Sequence, residues 1–297
     1  MLDSDLADAI LAALQAARGG SLKIASAEIP AGSQTSAVLV STQGERFFVK
    51  LAPAEQADRF AAEADGLAAL RQCDAFKVPE TIGFGNSAAS AFLILEHLAL
   101  RPVSREHGTR AGEALAQLHQ LGSGAYGWRR DNYIGTSRQT NAFNNHWPSF
   151  FAQHRLAPQF AFAAAHGHRG DLQRHGEKIC EKISAFFLEY HPRPALLHGD
   201  LWHGNIGELD DGTPVIFDPA VYVGDREADL AMTELFGGLP ESFYVAYRQA
   251  MPLDAGYAQR QQLYNLYHIL NHLNLFGRSY LRQAEWMATK LFDYLRN

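Results

Sequence analysis

Cysteine is scarce in this chain. Cys73 and Cys180 are too few and too unpatterned for a disulfide framework or a zinc site, so a reducing compartment is the consistent setting. Apolar runs of membrane-spanning length are missing, and no membrane partner is expected. The N-terminus, with Asp3, Asp5 and Asp8 among Ala and Leu, lacks the basic start of a secretory signal, which makes a cytoplasmic location the default expectation. Positive charge is not in excess either. The formal charge of -6 argues against nucleic acid as a main partner and is compatible with a cationic, amine-bearing substrate. There is no internal repeat, no low-complexity tract, no long flexible linker and no Gly-x-Gly-x-x-Gly.

What is present is an ordinary globular composition, 47% hydrophobic over 297 residues, enough for two lobes with a substantial core. Asp3 or Ser4 can cap a helix with Leu6, Ile10 and Leu14 on one face, stopped by Gly19 and Gly20. Strand-like runs at 21–29, 36–41 and 46–51 follow, separated by turn-rich segments as in an antiparallel meander. A helix over 55–72 and two more strands at 81–84 and 91–96 complete this part. From about residue 104 helical patterns dominate, at 104–121, 147–165, 172–190, 226–236 and 257–276. The expected fold is therefore α+β and bilobal. A small lobe over 1–98 would hold an antiparallel sheet and a helix, and a larger, mainly helical lobe would occupy 99–297.

The chemistry concentrates near residue 200. His198-Gly199-Asp200-Leu201-Trp202-His203-Gly204-Asn205 is followed by Pro214-Val215-Ile216-Phe217-Asp218-Pro219. In a phosphoryl-transfer site one Asp orients and accepts the proton of the attacking hydroxyl. An Asn five residues later and a second Asp beyond a short hairpin bind magnesium. Asp200, Asn205 and Asp218 supply that set in order. Short apolar runs flank Asp210-Asp211-Gly212-Thr213, a hairpin signal, so Asn205 and Asp218 should meet at its open end as an oxygen pair suited to Mg2+. Taken singly, each residue is more simply a turn residue; the three at this spacing, with a Lys and a Glu upstream, point to chemistry. Geometry should matter more than basicity for Asp200, because the proton can leave late.

Upstream, Phe47-Phe48-Val49-Lys50 is a strand ending in a lysine among apolar neighbours, and Glu63 sits in the next helix. Such a lysine can reach nucleotide phosphates while an ion pair with a helix Glu holds it. The small-residue segment 30–36 could offer backbone N–H groups to phosphates or be an ordinary turn. The polar stretch 131–145 could line an acceptor site or only connect helices. Trp202, beside Asp200, could stack on a sugar or amine or pack inside. His268, Asn271 and His272 share a helix face; packing is the simpler reading, and sugar recognition by His268 and His272 is the alternative.

These residues carry a likeness. With Phe60-Ala61-Ala62-Glu63, Leu95-Glu96-His97-Leu98, Leu115 to His119, Trp202 after the Asp-Leu pair, Asp218-Pro219-Ala220 and His268 to Gly277, the chain resembles the fructosamine kinases, or ketosamine-3-kinases. These are relatives of aminoglycoside and choline kinases within the protein-kinase-like fold. The resemblance spans nearly the whole chain. It implies transfer of the γ-phosphate of ATP, with Mg2+, to the 3-hydroxyl of the sugar in a ketosamine, free or on a glycated protein, in a deglycation or repair role. It further implies that Asp200 accepts the proton, Asn205 and Asp218 hold Mg2+, Lys50 contacts phosphates and Glu63 orients Lys50. Glu96, His97 and Leu98 would form the hinge whose backbone reads adenine. A hydroxyl kinase of the aminoglycoside or choline type and an inert nucleotide-binding scaffold are the alternatives.

Overall fold

The computed structural model describes residues 4–19, 22–29, 35–122 and 124–296. Helix α1 (Ser4–Arg18) is followed by strands β1 (Ile24–Glu28), β2 (Ser36–Ser41) and β3 (Arg46–Pro53), helix α2 (Ala57–Leu70), and strands β4 (Thr81–Asn86) and β5 (Ser90–Glu96). The five strands form one antiparallel sheet in the order β1-β2-β3-β5-β4. Strand alternation decides what this sheet does. Phe47 and Val49 of β3 are buried with Leu6, Ile10 and Leu14 of α1, whereas Phe48 and Lys50, one residue out of phase, line a cleft on the opposite side.

The remaining chain is mostly helical: α3 (Gly108–Leu118), α4 (Trp147–Phe151), α5 (Ala157–Ala165), α6 (Asp171–Glu181), α7 (Glu227–Leu235), α8 (Glu241–Ala250), α9 (Tyr257–Phe276) and α10 (Leu281–Tyr294). Three small antiparallel pairs interrupt it. They join β6 (Asn132–Ile134) to β7 (Ser137–Gln139), β8 (Pro194–Leu197) to β11 (Tyr222–Asp225), and β9 (Ile206–Glu208) to β10 (Pro214–Ile216). One core gathers Trp147, Phe150, Phe151 and Tyr264 beneath α9. Another runs from Phe60 and Leu67 of α2 through Leu93 and Leu95 to Leu115, Ile216 and Phe243, so sheet and helices share apolar packing.

The α+β arrangement, with its sheet near the N-terminus and helices after, is the one expected, and the strand at 36–41 coincides with the sequence reading. Several helices differ for local reasons. The helix expected over 104–121 begins only at Gly108, because Ser104 is spent on a turn. Its N–H donates to Glu208 at 3.0 Å and its hydroxyl accepts the His107 N–H at 3.2 Å. Residues 147–165 widen into a π-helical turn at Ala152–Leu156, next to Pro158, which has no N–H to donate back down the helix. The helix expected over 172–190 breaks at Lys182 and continues as a 3-10 segment, Ile183–Phe187. Helices α8 and α10 were not read from the sequence, and residues 30–34 of the suspected phosphate loop lie outside the described residues.

Candidate active site

The cleft between sheet and helices is built on backbone constraints around residue 200. Gly199 has φ +84°, and a Cβ there would sit 2.1 Å from the Ala220 carbonyl oxygen, so glycine is required on both counts. Asp229, at the start of α7 and 1% exposed, accepts the N–H of His198 at 2.7 Å and of Gly199 at 2.8 Å, with His119 Nε2 at 3.3 Å. Burial alone would raise this carboxyl; the bond from His119, the nearby imidazoles and the Gly199 N–H hold it below the ordinary value. His198 is fully buried, and that burial pulls its imidazole below the ordinary value. Its Nε2 lies 2.9 Å from the Phe217 carbonyl and its Nδ1 accepts the Asp200 N–H at 3.3 Å, tying the loop of Asp200 to the strand end before Asp218.

The hairpin behaves as its turn residues predict. Ile206 pairs with Ile216, and the Phe217 N–H reaches the Asn205 carbonyl at 3.1 Å, so Asn205 and Asp218 stand together at the open end. Asn205 Nδ2 donates to the Asp200 carbonyl at 2.8 Å and lies 3.3 Å from the Asp200 carboxylate. Opposite them, Lys50 Nζ lies 2.7 Å from Glu63 and 2.5 Å from Asp218. Burial works against its charge, yet Asp218 and Glu63 outweigh burial and hold the ammonium above its usual value. Glu63 is pushed up by burial, with Lys50 opposing. Burial and the neighbouring Asp218 and Asp229 carboxylates push Asp200 up to about 7.

Lys50, Glu63, Asp200, Trp202, Asn205 and Asp218 all line one cavity of about 490 Å³. Asn132, Tyr133 and Gly135 of the β6–β7 hairpin, from the polar 131–145 stretch, line it too. Arg59, not singled out from the sequence, adds a cation. A neighbouring, more apolar cavity of about 500 Å³ is lined by Val38, Phe48, Leu95, Glu96, His97, Leu98 and Phe217, and also touches Asp218. The Glu96 side chain is ion-paired to Lys77 at 2.7 Å, and burial lowers the basicity of His97.

Two candidates fall outside the cleft lining. His268 is 4% exposed, edge-on to Tyr267, and burial pulls its imidazole down to about 3. His272 bonds back to the His268 carbonyl at 2.8 Å and packs among Phe236, Phe276 and Tyr280. The helix face they share is turned to packing. Asp229 was missed from the sequence; the available signal was a carboxylate embedded in the apolar run Ala228 to Met232.

Among the described residues no cluster of three or more His, Cys, Asp or Glu could hold a metal. The donor set still suits Mg2+, which leans on one or two protein oxygens plus phosphates and water rather than a full cage. Asn205 spends its Nδ2 on Asp200, leaving Oδ1 as the amide's acceptor, and the Asp218 side chain is 40% exposed at the cleft.

The gentamicin complex of APH(2")-IIa aligns over 98% of this chain at TM-score 0.62 and 14% identity, and the choline kinase LicA of Streptococcus pneumoniae over 98% at 0.65 and 12%. The architecture is thus that of the protein-kinase-like phosphotransferases. The fructosamine kinase family model matches residues 6–294, and the chain belongs to that family. A protein of Synechocystis sp. named probable ketoamine kinase is 46% identical over 244 residues, 82% of either chain. A Vibrio vulnificus protein of the same name is 40% identical over 89% of this chain and 91% of its own. The crystal structure of a candidate fructosamine-3-kinase from Thermobifida fusca superposes at TM-score 0.85 with 31% identity, over 98% of this chain and 99% of that one.

Proposed function

We propose that this protein is an ATP-dependent kinase that phosphorylates the 3-hydroxyl of the sugar in ketosamines, fructosamine or ribulosamine adducts of amines or protein lysines, as a step in deglycation. The observation that carries this reading is the convergence of Lys50, Glu63, Asp200, Asn205 and Asp218 on one cleft in a chain of the fructosamine kinase family. The apolar cavity beside Glu96, His97 and Leu98 has the character of an adenine pocket, and its shared wall at Asp218 would place phosphates toward Lys50. When bound, Mg2+ neutralises phosphate charge, and Asn205 and Asp218 would hold it. Lys50, set by Glu63, offers a fixed cation to the phosphates. The acceptor hydroxyl oxygen bonds to the γ-phosphorus as the bond to the ADP oxygen breaks, and its proton passes to Asp200, whose basicity near neutrality suits the task. Trp202 and the β6–β7 hairpin, which line the same cleft, would contact the sugar and amine.

An acceptor panel tests this. Purified protein with Mg-ATP should phosphorylate fructose-lysine or ribulose-lysine in preference to aminoglycosides, choline and free sugars, with the phosphate mapped to the 3-position. Equal or better turnover of the other acceptors overturns the reading.

A further inference from the structure

Helix α2 carries more than Glu63. Asp58 and Asp65 are seven residues apart, hence on one helical face, and both are gripped by the chain that leads into β6. Asp65 Oδ2 accepts the Trp128 indole N–H at 2.8 Å and the Arg129 Nε–H at 3.3 Å, and Arg129 Nη2 donates to the other oxygen. Asp58 accepts from Arg130 at 2.6 Å and from the Tyr133 hydroxyl at 3.2 Å. These ties are unequal. The Arg129 and Asp58 side chains are each 63% exposed, so water and salt discount their ion pairs. Asp65 is only 16% exposed, and the Trp128 ring packs against both large cores, which shields the indole bond. The backbone beneath Trp128 is fixed as well, since Gly127 and Val223 exchange N–H···O bonds of 2.9 and 2.8 Å. Gly66, the next residue on α2, approaches Pro219 and Val221 so closely that a Cβ would lie 3.2 Å from each.

We propose that the Trp128–Asp65 bond is a positioning device for phosphoryl transfer: it fixes the setting of α2 against the Asp218 segment and thereby keeps Glu63 on Lys50. Trp128 and Asp65 touch no reacting atom; they act through Glu63. The inference rests on the assignment of Lys50 and Glu63 to the nucleotide site.

Trp128→Phe keeps the packing ring and deletes the donor, and Asp65→Asn keeps an acceptor oxygen for the indole. Trp128→Phe should lower kcat/KM for Mg-ATP by about tenfold, Asp65→Ala at least as much, and Asp65→Asn should retain most of the original value. In a Glu63→Gln background Trp128→Phe should lower turnover no further, while its loss of thermal stability persists. The proposal is overturned if Trp128→Phe is as damaging in that background as alone, or if stability is all that changes. Should the protein phosphorylate no ketosamine, the same double-mutant cycle read on binding of adenylyl imidodiphosphate with Mg2+ still decides the question.

Discussion

Lys50 and Asp218 are 168 residues apart in sequence and 2.5 Å apart in space, with Glu63 on the other side of the same ammonium. A charge network this close ties the position of each group to the others. A cation held at Asp218 would compete with Lys50 for that carboxylate and so free the lysine for anionic oxygens. Lys50→Met should therefore lower kcat/KM for ATP by roughly 10²–10³, the scale of one lost preorganised donor. Steady-state kinetics over an ATP series checks it, and a change under threefold would remove Lys50 from the site.

Magnesium dependence should separate the two carboxylates. Asp218→Asn is expected to raise the half-saturating Mg2+ concentration by about tenfold or more, since a charge-assisted ligand is exchanged for a neutral one, whereas Asp200→Asn should leave it nearly unchanged. Chelation by EDTA should abolish turnover in both the native protein and any residually active variant, restored on adding Mg2+.

Asp200→Asn should cut kcat by about 10²–10⁴, the usual contribution of general base catalysis, with nucleotide affinity retained within a few fold. Equilibrium binding of a fluorescent ATP analogue beside single-turnover rates makes the distinction. Retained turnover would move the base elsewhere.

Asp229→Asn is expected to damage both folding and activity, because an amide nitrogen or a neutral oxygen replaces a carboxylate that anchors two backbone N–H groups of the loop carrying Asp200. A loss of about 2–3 kcal/mol in urea unfolding is the expected size for hydrogen bonds to a buried charge. Gly199→Ala, with a Cβ driven into Ala220, should be inactive.

His268 sets an acid limit. Burial holds its imidazole at about 3 in the folded chain, against 6.5 as the ordinary value, so below 6.5 the unfolded chain takes up a proton that the folded chain refuses. This group's contribution to stability is complete above 6.5 and declines as pH falls toward 3, by at most about 1.4 kcal/mol per pH unit. Unfolding free energies of the native protein and of His268→Gln should converge as pH drops from 7 to 4.5. Parallel curves would exclude His268 as the source.

Much of the candidate site was legible because its parts are local in sequence. The turn Asp210 to Thr213 closes a hairpin whose ends carry Asn205 and Asp218, and Phe47 to Lys50 alternates faces as any strand must. What escaped depends on distance and burial. Asp229 lies far along the chain from Gly199 and reads as an ordinary acid in the first turn of a helix. Trp128 and Asp65 are 63 residues apart, and no local pattern marks their bond. For the histidines at 268 and 272 spacing shows a shared face but not which way that face turns, so packing is the simpler reading of the sequence and sugar recognition stays open beside it. Helix α8 starts after Pro240 and α10 after Tyr280, neither with a side-chain cap to announce it.

Asp218 is, among the described residues, the one non-glycine with positive φ, at 57°. That conformation is tolerated by Asp, Asn and Gly and disfavoured by about 1–2 kcal/mol for other side chains. Descendants of this gene that abandon catalysis would accordingly drift to Asn or Gly at this position before any bulkier replacement. The backbone would go on restricting the choice of residue after selection for the acidic group had ended.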